Sequence, residues 1–261
     1  RAGSSDSGRA ILSQDSLHGS RRIRKVVSNR VAPSFFIISP PHMGGYPFIF
    51  LTVSGHPTPG PNGNGFAKYL TYIDFGYNRN LTGLDGTWLQ NQTEVTNVVA
   101  ESIGIKIVPN VFSNLPQLQT LILGQNENLG LSGPGLGGDF IVSNSLQELA
   151  LDLCLLKDDQ ISLNAFNSLP ALQTLILDAN RLTVPKARYF QNLVNLQTLS
   201  WDSNPWSCDC ESVPFVWLLT DSRDINARRL LKSTVQCSNS SSYAGAYVEQ
   251  VPIHDLEAIG D

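Results

Sequence analysis

Charge is scarce in this chain of 261 residues. Only 15% of them are charged, against about a quarter in a typical globular protein, and the formal net charge is −4. That balance supplies no concentrated basic face, so a nucleic-acid partner is not expected. Histidine is rarer still: His18, His42, His56 and His254 are the four present. None stands at ligand spacing from the cysteines, so no metal site is expected. None is paired with a recognisable nucleophile motif, and no Gly-x-Ser-x-Gly elbow occurs. No catalytic residue and no cofactor are therefore assigned, and the chain reads as a non-enzyme. Long apolar runs are missing too. The most apolar early stretch, Ser34 to Val53, is broken by Pro40, Pro41, Gly44, Gly45 and Pro47, which makes it a poor membrane span. A membrane link is expected only through an anchor outside this chain.

Acidic residues are absent between Asp15 and Asp74, and residues 1–66 hold seven Lys/Arg against two acids. Residues 67–261 hold eleven and twenty. The early segment is polar and irregular, with a basic cluster from Ser20 to Lys25 and seven prolines from Pro33 to Pro61. Its apolar islands, Phe35–Ile38 and Pro47–Leu51, are interrupted too often to be assigned as strands. Residues 1–66 are expected to be an irregular, poorly ordered N-terminal segment. The start at Arg1 suggests a leader missing or already removed.

What is abundant is leucine at a fixed rhythm. Leu118-x-x-Leu121-x-Leu123-x-x-Asn126 is followed by Leu146-x-x-Leu149-x-Leu151-x-x-Cys154-x-Leu156. Then come Leu172-x-x-Leu175-x-Leu177-x-x-Asn180-x-Leu182 and Leu196-x-x-Leu199-x-Trp201-x-x-Asn204. The four starts are 28, 26 and 24 residues apart. Two weaker copies lie upstream, Leu70-x-x-Ile73-x-Phe75-x-x-Asn78 and Val95-x-x-Val98-x-Ala100-x-x-Ile103-x-Ile105. A second register agrees: Phe112, Phe140, Phe166 and Phe190 each stand six residues before the next leucine start.

These segments resemble the leucine-rich repeat, whose signature is L-x-x-L-x-L-x-x-N/C-x-L. The resemblance implies an α/β leucine-rich-repeat solenoid with a curved parallel sheet on its concave face and loops or short helices on its convex face. One coil cannot bury its leucines alone, so stacked coils share one continuous core. About six coils are expected over 67–203. The Asn or Cys closing each strand would turn inward and satisfy turn backbone groups otherwise buried unpaired. Cys154 is expected to be a buried free thiol filling that role. A glycine-rich insertion after Asn126 contains Gly133-x-Gly135-x-x-Gly138, a formal dinucleotide fingerprint. That fingerprint needs a strand before it, a helix opening on it and an acid about 20 residues later; here it falls on the far side of a solenoid coil with Pro134 inside it and reads as a glycine-rich loop.

Between the apolar positions, outward residues alternate with period two. The central outward column is Asp74, Val99, Ile122, Ala150, Ile176 and Ser200. The next is Gly76, Glu101, Gly124, Asp152, Asp178 and Asp202. Val99, Ile122 and Ile176 beside Glu101, Asp152, Asp178 and Asp202 are the candidate ligand-binding residues. Three aspartates one strand apart, about 4.8 Å, would form an acidic ladder along an apolar stripe. The same columns also read as a solvated sheet surface.

After the last repeat, Asn204-Pro205-Trp206-x-Cys208-x-Cys210 is followed by Trp217 and then Cys237. This resembles the cysteine-flanked C-terminal cap of extracellular leucine-rich-repeat proteins such as Toll-like receptors, Slit-type guidance proteins and variable lymphocyte receptors. The resemblance covers 204–261. Family caps of this kind join the first cysteine to the third and the second to the fourth, which implies Cys208–Cys237 and leaves Cys210 without a partner. Either a fourth cysteine lies beyond Asp261, the favoured reading, or the cap keeps one bridge. Phe215 to Leu219 are expected to start a helix after Pro214 and cover the last coil, and Asp224–Leu231 reads as a second short helix.

Disulfide use places the protein outside the cytosol. Three sequons agree, at Asn80, Asn91 and Asn239. The function expected is an extracellular recognition module of the innate-immune receptor type, binding a protein or glycan on its concave face. The alternative is a secreted, non-catalytic scaffolding subunit of a larger complex.

Overall fold

The computed structural model describes the backbone of residues 22–26, 34–39 and 50–53. It also describes residues 70–77, 89, 92–103, 111–131, 136–137, 140–190, 192–220, 229–232, 234–239 and 241–258. Nine strands stand in chain order in one sheet. The first three are β1 (Arg22–Val26), β2 (Ser34–Ser39) and β3 (Phe50–Val53), paired antiparallel to one another and to β4 (Leu70–Asp74). From β4 onward every pairing is parallel, through β5 (Asn97–Val99), β6 (Thr120–Ile122), β7 (Glu148–Ala150), β8 (Thr174–Ile176) and β9 (Thr198–Ser200).

The parallel strands are three to five residues long because each turn of the solenoid offers only one leucine between two outward side chains. Leu121, Leu149, Leu175 and their flanking leucines are buried, as are Phe112, Phe140 and Phe166 on the other side of the coil, with Phe190 partly buried. One cluster runs without a break from Leu70 into the C-terminal cap. β1, β2 and β3 differ from the irregular segment read from the sequence. The prolines that argued against strands fall between them: Pro33 before β2, Pro40 and Pro41 after it, Pro47 before β3. Proline interrupts a sheet only where its missing N–H is needed.

Each repeat strand, β4 to β9, is followed by the same device. Tyr77, Ser102, Gln125, Leu153, Ala179 and Ser203 all have positive φ, between 50° and 60°. The first five donate their N–H to a carbonyl of the next coil, at Glu101, Gly124, Asp152, Asp178 and Asp202 in turn. The left-handed residue therefore carries the inter-coil ladder one bond beyond the strand while turning the chain inward. None of the six is glycine or asparagine, so the strain, about 1 kcal/mol each, is sustained by that bond and by the residue that follows. After Gln125, Ala179 and Ser203 the following residue is the repeat asparagine; after Ser102 it is Ile103. Asn180 Oδ1 accepts from the N–H groups of Cys154 and Leu156, both at 3.1 Å, and its Nδ2 donates to the carbonyls of Leu151 and Leu177 at 2.9 Å. Asn126 and Asn204 repeat the pattern.

Cys154 takes this position in one coil. Its thiol lies 3.3 Å from the carbonyl oxygens of Leu123 and Asp152, to which a thiol can donate. Burial pushes it up to about 12, against the opposing pull of the Asn126 backbone N–H. Cys210, in contrast, is exposed and free. An aromatic disulfide reagent should thus consume one thiol per folded chain at Cys210, and a second only on unfolding, because the thiolate is the reacting species. Two equivalents released at similar rates from folded protein would refute this placement of Cys154.

The cap closes the last coil. Cys208 and Cys237 form a disulfide with Cα atoms 5.6 Å apart, the pairing implied by the resemblance. α2 (Val213–Thr220) lays Phe215, Val216 and Leu219 on the core. Trp217, expected among the covering residues, is 60% exposed. Helical geometry explains the correction: positions i, i+1 and i+4 share a face, and Trp217 lies about 200° around the helix from Phe215. A final helix, α3 (Ile253–Ala258), buries Leu256 beneath the cap. Of the expected helix 224–231, residues 229–231 are helical and the rest lies outside the described residues. In the glycine-rich insertion a single helical turn, α1 (Asn128–Leu131), precedes Gly133, Gly135 and Gly138 in the sequence. Leu136 is buried and bridges to Ile161 of the next coil.

Candidate functional site

The candidate site is the outward face of the parallel strands. Register places its central column as the alternation predicts: Asp74 beside Val99, then Ile122, Ala150, Ile176 and Ser200, each paired with the next. A column on the strand-start side consists of Tyr72, Asn97, Thr120, Glu148, Thr174 and Thr198. The third column, at the strand ends, is Gly76, Glu101, Gly124, Asp152, Asp178 and Asp202, joined coil to coil by the backbone bonds described above. Val99, Ile122 and Ile176 are partly exposed, whereas Ala150 between the two isoleucines is 3% exposed. The apolar stripe is therefore a shallow surface made by the three larger side chains.

The carboxylates are not equivalent, as an evenly spaced ladder would have made them. Asp178 is tied down: it accepts the Ser200 hydroxyl at 2.8 Å on both oxygens and the Asp202 N–H at 2.7 Å. Asp74 accepts the Gly76 N–H at 2.7 Å. Its charge and the burial of Tyr72 together raise the Tyr72 phenol, burial being the larger cause. Glu101 accepts from the Gln125 side chain of the next coil. Asp152 leans over Gly124, where a Cβ would stand 2.6 Å from its Oδ1, so glycine in that coil makes room for the neighbouring carboxylate. Glu148 and Asp152 flank Ala150 on either side within one coil, and Asp202 is exposed at the last strand.

Two neighbours of these columns carry no mark in the alternation. Leu153 follows Asp152, points outward from its left-handed turn and is 46% exposed; Tyr77 holds the same position in the first coil and is 67% exposed. Both stand where the repeat signature allows any residue, so nothing in the spacing marks them. Of the expected glycosylation sites, Asn239 is exposed on the cap. Asn80 and Asn91 lie outside the described residues.

Fold and face together define a leucine-rich-repeat solenoid. No protein-family model matches the chain. Among solved structures, a chain of the octameric complex of Latrophilin 3, Unc5D and FLRT2 matches 71% of this chain at 20% identity, with a TM-score of 0.50. The match spans 54% of that chain, so the present protein covers about half its length. Human 5T4, the trophoblast glycoprotein, matches 71% of this chain and 94% of its own at 16% identity and a TM-score of 0.37. InlP of Listeria monocytogenes matches 54% of this chain and 45% of its own at 22% identity and 0.37. The likeness is one of fold. Among the described residues no helix is long and apolar enough to cross a membrane.

Proposed function

We propose that this chain is an extracellular recognition module that binds a protein or glycan ligand on the concave face of its repeats, in the style of Toll-like receptor and Slit-type ectodomains. The observation that carries the reading is the face itself. Six strands in strict register leave three aligned columns of outward side chains, with Val99, Ile122 and Ile176 partly exposed in the middle. A rigid, curved sheet of this kind loses little conformational freedom on binding, which leaves more of the contact energy as affinity. The Cys208–Cys237 bridge supports an oxidising compartment, and the exposure of Asn239 suits a glycan there. Leucine-rich-repeat partners are held in complexes such as that of Latrophilin 3, Unc5D and FLRT2, which supports a protein as ligand.

The test is a display screen of extracellular proteins and an oligosaccharide array, probed with the intact chain. Binders recovered in this way should be lost when Ile122 and Ile176 are replaced by Arg, by tenfold or more in affinity, since each change places a long charged side chain in the contact. They should survive Val194→Ser, a change at an exposed position outside the three columns. Retention in the arginine variants, with loss in Val194→Ser, would move the site off the concave face.

A further inference from the structure

We propose that the ligand of the concave face is a lysine- or arginine-rich protein segment, an inference that rests on the concave-face reading above. The three columns hold six carboxylates, at Asp74, Glu101, Glu148, Asp152, Asp178 and Asp202, and no lysine, arginine or histidine. Among the described residues, no basic side chain of the chain itself is paired with any of them. Like charges in adjacent strands destabilise a sheet unless something relieves them. Hydrogen bonds from within the molecule relieve Asp178 and Asp74, while Glu148, Asp152 and Asp202 are left to an external cation.

Geometry narrows the partner further. The apolar column and the acidic column are two residues apart along each strand, about 6.6 Å at ~3.3 Å per residue. Within one strand it joins Val99 to Glu101; Ile122 to Asp152 and Ile176 to Asp202 run diagonally to the adjacent strand, about 8 Å at ~4.8 Å per strand. A long lysine or arginine side chain suits these spans, with an aliphatic stem on Val99, Ile122 or Ile176 and a cationic head toward Glu101, Asp152 or Asp202. Leu153, exposed beside Asp152, extends the apolar contact over the rim. From β5 to β9 the sheet is about 19 Å wide at ~4.8 Å per strand, the length of about six extended residues. A basic segment interleaved with apolar residues fits both columns. A phosphate-rich partner would meet six like charges, and a neutral glycan would leave those charges unrelieved.

The proposal is tested by methyl NMR on the intact chain with four probes. They are a twelve-residue peptide alternating Lys with Leu and Val, its counterpart with Glu for Lys, its counterpart with Gln for Lys, and maltohexaose. The lysine peptide should shift the methyl signals of Val99, Ile122 and Ile176. Its affinity should fall roughly tenfold in the Glu148→Gln/Asp152→Asn/Asp202→Asn variant, and between low and high salt in the parent chain. The salt titration stands even where the triple variant folds poorly. Equal shifts from the glutamate or glutamine peptide, or shifts from maltohexaose alone, would overturn the basic partner and leave the concave face as the site. Shifts confined to the cap, or no shift with any probe, would overturn both.

Discussion

Asn180→Ala lowers the stability of the solenoid by about 3–5 kcal/mol, as large an effect as any single substitution in the repeats. The side chain removed serves five backbone groups. Its Oδ1 holds the N–H groups of Cys154 and Leu156, and its Nδ2 reaches the carbonyls of Leu151, Leu177 and Asp178. Alanine orphans two buried donors at about 1–3 kcal/mol each, with a smaller cost for carbonyls that keep other partners. Asn180→Cys should recover part of the loss, because Cys154 already does the same work one coil earlier through a thiol that donates but accepts weakly. Asn164→Ala, which removes an exposed side-chain bond to Asn167, should stay within about 0.5 kcal/mol. Urea unfolding of the three variants decides the matter. A loss under about 1 kcal/mol for Asn180→Ala would mean that water, rather than the asparagine, satisfies these groups.

The repeat asparagine shows why so much of this fold was legible. A side chain that must enter the core, accept backbone N–H of the preceding coil and leave room for its own strand can occupy one position per coil. That position sits at a fixed distance from the leucines. The same constraint fixed the sheet register, since sliding one strand by a residue would turn a leucine to solvent and an Asp or Thr into the core. The central column from Asp74 to Ser200 therefore followed from alternation alone, and the pairing reproduces it. The left-handed turns did not follow. Leu153 and Tyr77 carry no glycine-like signal, because the strain is held by a backbone bond to the next coil rather than by the residue's own preference. The tie between Asp178, Ser200 and the Asp202 N–H was hidden for a related reason: it joins residues 22 and 24 positions apart through side-chain rotamers that no period encodes.

The two ends of the sheet show the same division. β1 to β3 rest on backbone pairing between short stretches separated by proline-containing segments, so the sequence offers composition but no rhythm. At the other end, the cysteine spacing carried the bridge by resemblance, whereas the orientation of α2 had to come from packing. Phe215 was placed by its contact with Trp201, ring centroids 5.7 Å apart, and that choice turned Trp217 to solvent.

Breaking that bridge is the second large perturbation. Replacing Cys208 and Cys237 together by Ser should cost about 3–4 kcal/mol. The bond closes a loop with a separation of 29 residues, and chain entropy released to the unfolded state grows with the logarithm of that length. The loss falls on one end of the molecule. Trp201 stacks edge-on against Trp206 at 5.0 Å and against Phe190 at 5.1 Å, so the last coil and the cap share one aromatic cluster. Ser238 donates to the Trp206 carbonyl, and Cys237 and Ala246 pair through the backbone, which ties the segment after the bridge to the segment before it. Without the covalent link those bonds and the burial of Phe215, Val216 and Leu219 must hold the cap alone. In a solenoid, where each unit leans on its neighbour, loosening begins at the terminal unit. The near-ultraviolet circular dichroism of the Trp201–Trp206 pair should consequently melt several degrees below the far-ultraviolet signal of the repeats in the double-serine variant, and together with it in the parent chain. Coincident melting of both signals in the variant would show that cap and repeats unfold as one unit. A stability change under about 1 kcal/mol would show that the bridge stabilises little that packing does not already hold.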